Sequence, residues 1–505
     1  MNKHNWLYAV FMVLMAGQTT AQDAQSVLRA ASTAMGVTEM ISIQYTGTGW
    51  VGAVGQNFEP VMDWPRFDLT KYTRTIDFES LSSKEEMVIV QGDHPQRGGG
   101  GTPIQGERHR EYMVSGSYAW DMQGDEVVAV PAKAELRLLE IYLTPQGFIK
   151  GAMAGNPTAV SRNEYGERVT VVSFIALGKY RINATFSEQN LIHRIQTWLP
   201  NPVVGDMYFE TVFSNYREID GVQFPGRWHQ HKDFDDGANL PNVSGGDHAF
   251  GLESISNVTV NFRDVKLEVP AAARTTQIPN VQVESTRLAN GVWLIGGGTH
   301  NSVAIEFGDH ITVIEAPLNE ARSLAVIEEI NKLVPGKPIR YIVNTHHHWD
   351  HLGGIRTYVH EGAAIITHGG NRHYYQEVLR AGPWLLEPDR YSLYPPEEWS
   401  EGYIFETVYE KYVLADETRR VELHNVQGLN HVVGMLMAYL PEEKMLIQAD
   451  LYTPAAAGVV PRPRNASNRT FYQNIQRLDL DVETIVPIHG RAGSMSDFVE
   501  YIGEM

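Results

Sequence analysis

The chain predicts an α+β protein of two unlike halves, an antiparallel β-sheet or half-barrel followed by a region where strands and helices alternate. Three observations predict this. From about residue 25 to 275, short apolar and β-branched runs recur between turn-forming clusters. A Pro-, Ala- and Thr-rich stretch, "VPAAARTTQIPNVQVES" (269–285), then breaks the rhythm. Beyond it, "HITVIEAP", "NEARSLAVIEEINKLV" and "PIRYIVNT" read as strand, amphipathic helix and strand. With 505 residues, 43% hydrophobic and 20% charged, the chain can bury more than one core. The expected divisions are a signal segment at 1–21, a β-rich domain at 22–275 and a second domain at 276–505.

The opening "MNKHNWLYAVFMVLMAGQTTAQ" places Lys3 before an apolar run from Leu7 to Gly17, then Thr19-Thr20-Ala21. That pattern predicts a secretory signal peptide cleaved after Ala21. Its apolar run is short of the roughly 20 residues a membrane span needs, and no later stretch is long and apolar enough. The expected location is therefore periplasmic or secreted, with no integral membrane segment after cleavage. Cysteine is absent, which excludes disulfides, thiolate ligands, a cysteine nucleophile and a lipid-modified cysteine. A net charge of -19 disfavours nucleic acid, whose phosphates recruit Lys and Arg, and favours a small-molecule substrate.

In the first half, "ERVTVVSFIAL" (167–177), "KYRINATFS" (179–187), "LIHRIQTWL" (191–199) and "MYFETVFSNYREI" (207–219) predict serial antiparallel strands. "RGGGG" (97–101) reads as a flexible hairpin tip, because no strand–helix context supports a phosphate loop. "WHQH" puts His229 and His231 on one strand face with no third ligand nearby, as expected of a half-exposed sheet. "GKYRINATFSEQNLIHRIQTW" with "NYREIDGVQFPGRW" resembles part of the curved sheet of periplasmic lipoprotein-carrier proteins. In the second half, the helix over 319–334 should bury Leu324, Ile327 and Ile330 and turn Glu328 and Glu329 to water.

"THHHWDH" (345–351) follows the strand "PIRYIVNT", and reactive groups in α/β sheets gather at strand C-terminal ends. In an extended segment His346 and His348 share a face and His347 takes the other. A turn then carries Asp350 and His351 toward a second point, and Gly353 and Gly354 let the backbone pass close by. Further ligand types stand at later strand ends: His431 before an apolar hairpin, Asp450 after it, and His489 after "TIVPI".

His346-x-His348-x-Asp350-His351, followed by His431, Asp450 and His489, resembles the ligand set of the metallo-β-lactamase superfamily, over residues 284–505. The resemblance implies an αββα sandwich with two divalent metal ions, most simply Zn, with Fe or Mn as alternatives. It assigns His346, His348 and His431 to one ion, Asp350, His351 and His489 to the other, and Asp450 as the bridge. It further implies a metal-dependent hydrolase whose nucleophile is a metal-held hydroxide, with Asp350 as its catalytic orienter. Where many relatives carry Asp, "TVIEAP" has Glu315, which puts a contact behind the metal ligands in doubt. Asp450 stands where β-lactamases of this fold commonly have Cys or Ser. The implied bond is therefore of ester, lactone, phosphodiester or sulfate type, the rivals being a β-lactam and a silent lipid-like ligand-binding protein.

His368 ends another strand and is expected behind the ligands. The insertion at 374–403 is long, aromatic and Pro-rich, as lids are, and Tyr374, Tyr375, Trp384, Leu385 and Leu386 could wall a substrate or pack on the N-terminal sheet. Arg462, Arg464 and Arg491 flank ligand-bearing segments and are candidates to meet an anionic group.

Overall fold

The computed structural model describes residues 23–503 except 61, 165, 234–247, 263–265, 396–404, 456, 457, 460 and 462. The expected signal segment at 1–21 lies outside the described residues, as does Arg462.

The β-rich half is one 13-stranded antiparallel sheet. Several neighbouring strands are joined by tight turns, as at 116–117, 124–125 and 220–221, while 53–65 and 91–107 are longer connections. The first long strand, Ser42–Gly52, pairs with the last, His248–Val260, at the middle of the sheet. The four strand predictions correspond to Glu167–Ala176, Tyr180–Phe186, Ile192–Asn201 and Gly205–Ile219. Three helices went unforeseen: Ala24–Ala34, Ala134–Tyr142 and Pro145–Ala154. Their apolar residues Leu28, Ala31, Leu139, Phe148 and Ile149 are buried and share one core with Tyr72, Val172, Ile182 and Phe224 of the sheet. An alternating sheet exposes one apolar face, and these helices cover it.

His229 and His231 lie together on their strand, with ring centroids 4.7 Å apart, but a third histidine does stand nearby. His248 on the adjacent strand is 4.8 Å from His231, because the register places these residues opposite one another.

Residues 284–503 form two further sheets. The seven-stranded one runs antiparallel from Glu284 to Ile314 and then parallel through Ile339–Val343, Ala364–His368 and Phe405–Val408. The six-stranded one carries the apolar hairpin Leu436–Leu440 and Met445–Gln448, with Thr484–Pro487 parallel beside it. A shared core joins Val303, Ile305, Val343 and Ile366 of the first sheet to Leu423, Met437, Leu446 and Val486 of the second, with Phe471 and Phe498 from helices beyond. The first sheet's other face packs on Val326, Ile330, Tyr358 and Val378 from helices. The layers are therefore helix, sheet, sheet, helix.

The helix Glu320–Leu333 is slightly rotated from expectation. It buries Arg322, Val326 and Ile330, while Leu324 and Ile327 are half-buried. Arg322 accounts for the rotation. Its guanidinium donates to the carbonyls of Ile295, Gly297 and His300, which ties the helix to a strand end.

Candidate metal centre

The cluster at 345–351 leaves Ile339–Val343 as extended chain and enters a short helix, Trp349–Leu352. Gly353 is needed there, because a Cβ would lie 2.1 Å from the Leu318 carbonyl oxygen. His346 and His348 face each other, Nε2 to Nδ1, at 3.0 Å. His431 closes the group, with ring centroids 4.6 Å from His348 and 5.4 Å from His346. His347 points elsewhere, its Nε2 3.1 Å from the backbone oxygen of Asn57.

A second group forms around Asp350, His351 and His489. His489 Nε2 is 3.3 Å from His351 Nε2. Asp450 stands between the groups. Its Oδ2 lies 3.3 Å from His346, 2.9 Å from His431 and 3.1 Å from His351, while Oδ1 lies 2.9 Å from His489. The structure thus brings all seven sequence-derived residues into two ligand-competent clusters, His346/His348/His431/Asp450 and Asp350/His351/His489 with His300. Asp450 occupies the left-handed region at φ 58°, a conformation Asp tolerates better than most side chains.

His300 was not anticipated from sequence. It begins the strand His300–Glu306, with Nε2 3.3 Å from Asp350 Oδ2 and its ring 4.1 Å from that of His489. The available signal was "GGGTH", a histidine after a glycine run at a strand start.

Glu315 removes the doubt raised by its extra methylene. Its two oxygens lie 2.6 Å from His351 Nδ1 and 2.6 Å from the Thr345 amide nitrogen. Glu315 sits at φ 74°, and the longer side chain still reaches the ring from behind. A carboxylate on the far nitrogen fixes the tautomer and leaves Nε2 facing the site.

The N-terminal sheet supplies the rest of the surroundings. After the strand Ser42–Gly52, the chain turns over the centre. Gln56 Nε2 donates to Asp350 Oδ1 at 2.8 Å, and the Asn57 carbonyl oxygen lies 2.9 Å from His348 Nε2. "RGGGG" is no free hairpin tip. The Gly98 amide donates to the Asn430 carbonyl, and Gly100 donates to Gln56 Oε1 at 2.8 Å. A Cβ on Gly99 would meet His348 Cε1 at 2.8 Å, so only glycine fits this close approach. Trp64 packs edge-on against Trp349, with centroids 6.0 Å apart.

Burial sets the charges. It pushes His346 and His348 well below the ordinary histidine range, His351 and His346 adding repulsion in turn, so both rings keep a free lone pair. His347 is pushed down to about 3, chiefly by burial. Burial also opposes charge on His351, but Asp450, Asp350 and Glu315 outweigh it and hold that ring well above its usual value. Burial disfavours the charged forms of Asp350 and Asp450, yet the surrounding histidines, led by His351, keep both far below the usual carboxylate range.

The remaining expectations divide. His368 accepts from the Gly370 amide and packs on Tyr409, rather than standing behind the ligands. Tyr374 and Tyr375 are buried: the Tyr374 hydroxyl accepts from Trp349 Nε1 at 2.6 Å, and the Tyr375 hydroxyl donates to the His346 carbonyl at 3.1 Å. The Leu385 and Leu386 amides donate to the Asp206 carboxylate, so this part of the insertion is pinned to the N-terminal sheet. Arg356 reinforces it, pairing with Asp389 at 2.6 Å beneath Trp384 and Tyr391. Residues 396–404 lie outside the described residues. Arg464 donates to the Ile502 carbonyl and Arg491 to that of Ala455, so both brace backbone far away in the chain.

Residues 295–489 match the sequence model of the metallo-beta-lactamase superfamily. Similar solved structures include a metallo-beta-lactamase from Pontibacter korlensis, 18% identical, covering 44% of this chain and 98% of that one at a TM-score of 0.34. The DIM-1 metallo-beta-lactamase is 14% identical over 44% of this chain and 95% of its own, at a TM-score of 0.33. The mono-zinc FIM-1 enzyme from Pseudomonas aeruginosa is 19% identical over 44% and 93%, at a TM-score of 0.32. Among the described residues no helix is long and apolar enough to cross a membrane.

Proposed function

Residues 295–489 form a metallo-β-lactamase-superfamily domain, and from that premise we propose an exported dinuclear metallohydrolase acting on an ester-, lactone-, phosphodiester- or sulfate-type bond. The observation that carries the reading is Asp450, whose two oxygens face both histidine groups at once. The donor set fits two divalent ions. The neutral, desolvated imidazoles of His346 and His348 offer lone pairs, and three carboxylates (Asp350, Asp450 and Glu315) would offset most of the charge of two dipositive ions. His346, His348 and His431 would hold one ion and Asp350, His351 and His489 the other, with Asp450 shared. Zinc suits these ligands best, and iron or manganese is compatible with the carboxylates.

Bound there, such ions supply Lewis acidity and lower the pKa of water from about 15.7 toward about 7. The chain's own residues supply orientation. Asp350 is the most exposed of the set, its side chain 37% accessible, against complete burial of His346 and His348. It therefore faces the side from which substrate arrives. Gln56 steadies one of its oxygens and His300 the other, so the carboxylate is held to orient the attacking water by accepting a hydrogen bond from it. Glu315 keeps His351 turned into the site.

Asp450 in the shared position favours ester-class bonds over β-lactams. The test is a screen of esters, lactones, phosphodiesters, sulfates and β-lactams with metal-loaded protein, before and after chelation. Turnover of an ester-class substrate that chelation abolishes is expected. Efficient β-lactam turnover lost on chelation would reverse the substrate assignment, and no turnover of any class would leave a binding protein. Export rests on the opening 21 residues and predicts a mature chain beginning at Gln22. N-terminal sequencing that still reads Met1 would refute it.

A further inference from the structure

The N-terminal sheet does not close completely on its helices. Between strands Ser42–Gly52, Arg66–Asp77 and Val222–Asp233 and the junction of helices Ala134–Tyr142 and Pro145–Ala154 lies a cavity of about 230 Å³. Much of its wall is aromatic. Tyr45 packs on Phe224 and Trp228 with centroids 5.2 Å from each, and Tyr72 packs on Phe250 at 5.6 Å. At about 30 Å³ per water, the space equals roughly eight waters, which suits a single ring with a short acidic arm.

Two buried donors in this wall have no acceptor, and a lysine lines the cavity with them. Gln146 Nε2 and Thr211 Oγ1 are buried without a hydrogen-bond partner, on residues 1% and 2% exposed. Lys232 lines the same cavity and makes no salt bridge among the described residues. The register pairs Phe209 with Lys232 and Thr211 with Gln230, so Thr211 and Lys232 are diagonal neighbours on one face. The acids of the wall have other partners as well, although Glu140 also attracts Lys232. Glu85 accepts from the Tyr72 hydroxyl at 2.5 Å, and Glu140 lies 3.8 Å from Arg74. Arg74, Arg110 and Lys232 together outnumber these two carboxylates.

A buried donor left unsatisfied destabilises the fold, because it has given up water without gaining a partner. A carboxylate satisfies both donors and pairs with Lys232, since it only accepts and has about four lone-pair sites. We propose that this cavity binds a small aromatic carboxylate, its ring among Tyr45, Phe224 and Trp228 and its carboxylate against Lys232, Thr211 and Gln146. Burial lowers the Lys232 pKa against the pull of Glu140, and a bound anion offsets that burial. No residue of the two metal-ligand clusters lines this cavity, and the proposal does not depend on the hydrolase assignment.

The test titrates phenylacetate into the full mature chain by calorimetry, with metal present and after chelation. Saturable binding that survives chelation is expected, because a carboxylate sitting on the metals would be lost. Lys232→Met should weaken it at least about tenfold, with Lys232→Arg within about threefold, and uncharged 2-phenylethanol should bind at least about tenfold more weakly. Hydrolysis by Lys232→Met should be unchanged. No saturable binding, binding abolished by chelation, or an unaffected Lys232→Met would overturn the proposal. So would decanoate binding as tightly as phenylacetate. If Lys232→Met loses its native circular dichroism, Thr211→Val carries the test, with about a threefold loss expected and no change contradicting it.

Discussion

The two histidine groups of the centre differ in what stands behind them. His346 and His348 are fully buried, and their far side is closed by the other domain through the Asn57 carbonyl and the backbone at Gly99. The group of Asp350, His351 and His489 is more open, and its main support, Glu315, comes from the same sandwich. The first group is thus backed by the other domain's backbone, while the second takes its main support from its own sandwich and one side-chain hydrogen bond, from Gln56, across the boundary. The difference separates a rigid, covered side from an accessible, reactive one.

The largest effect should come from Asp450→Ala, which removes the residue common to both groups. Second-sphere changes at metal sites cost about 10–100-fold, so losing the shared ligand should lower hydrolysis by at least about 100-fold and cut metal content below one ion per chain. Next, His348→Ala and His489→Ala should each leave about one ion per chain, with activity at least about 100-fold down. If either substitution releases both ions, the two groups are not separable in the way their burial implies. Elemental analysis of each variant decides this.

Supporting residues come third, and they set the domains directly against each other. Glu315→Gln keeps the shape but removes the charge behind His351, so metal affinity should fall by about 10–100-fold in chelator competition. Gln56→Met removes one hydrogen bond across the domain boundary and should cost about tenfold in kcat, with a smaller change in affinity. Equal losses of affinity in both variants would show that the open group depends on the other domain as much as on its own sandwich, which would erase the difference.

The smallest effect belongs to His347→Ala. His347 belongs to neither group, and its Nε2 meets the Asn57 carbonyl that also backs His348, so metal content should stay near that of the parent and activity within about tenfold. Loss of metal as severe as in His348→Ala would invalidate the division of faces.

The same comparison explains what the sequence could reveal. His346, His348, Asp350 and His351 were legible because their spacing is local and sits at a strand end, where period two decides which rings converge. His431, Asp450 and His489 were legible because each also ends or borders an apolar strand. Gln56 and Asn57 were not, since they lie 294 and 291 residues from Asp350 and His348, in a loop whose composition carries no signal. "RGGGG" was misread for a related reason. A glycine run looks the same whether it is free in solvent or pressed against another domain's histidine, and only tertiary contact distinguishes them. Glu315 raised doubt through its length, which the left-handed backbone at that position accommodates. The helices at 134–154 were submerged in a β-rich background, yet the core they share with the sheet fixes where the cavity lies.

The account stands on two ions sharing Asp450, and the most direct measurement is the metal content of the purified, metal-loaded mature chain. Elemental analysis should find close to two divalent ions per chain. One ion would contradict the shared centre and leave a mononuclear hydrolase, and none would contradict the metal assignment altogether.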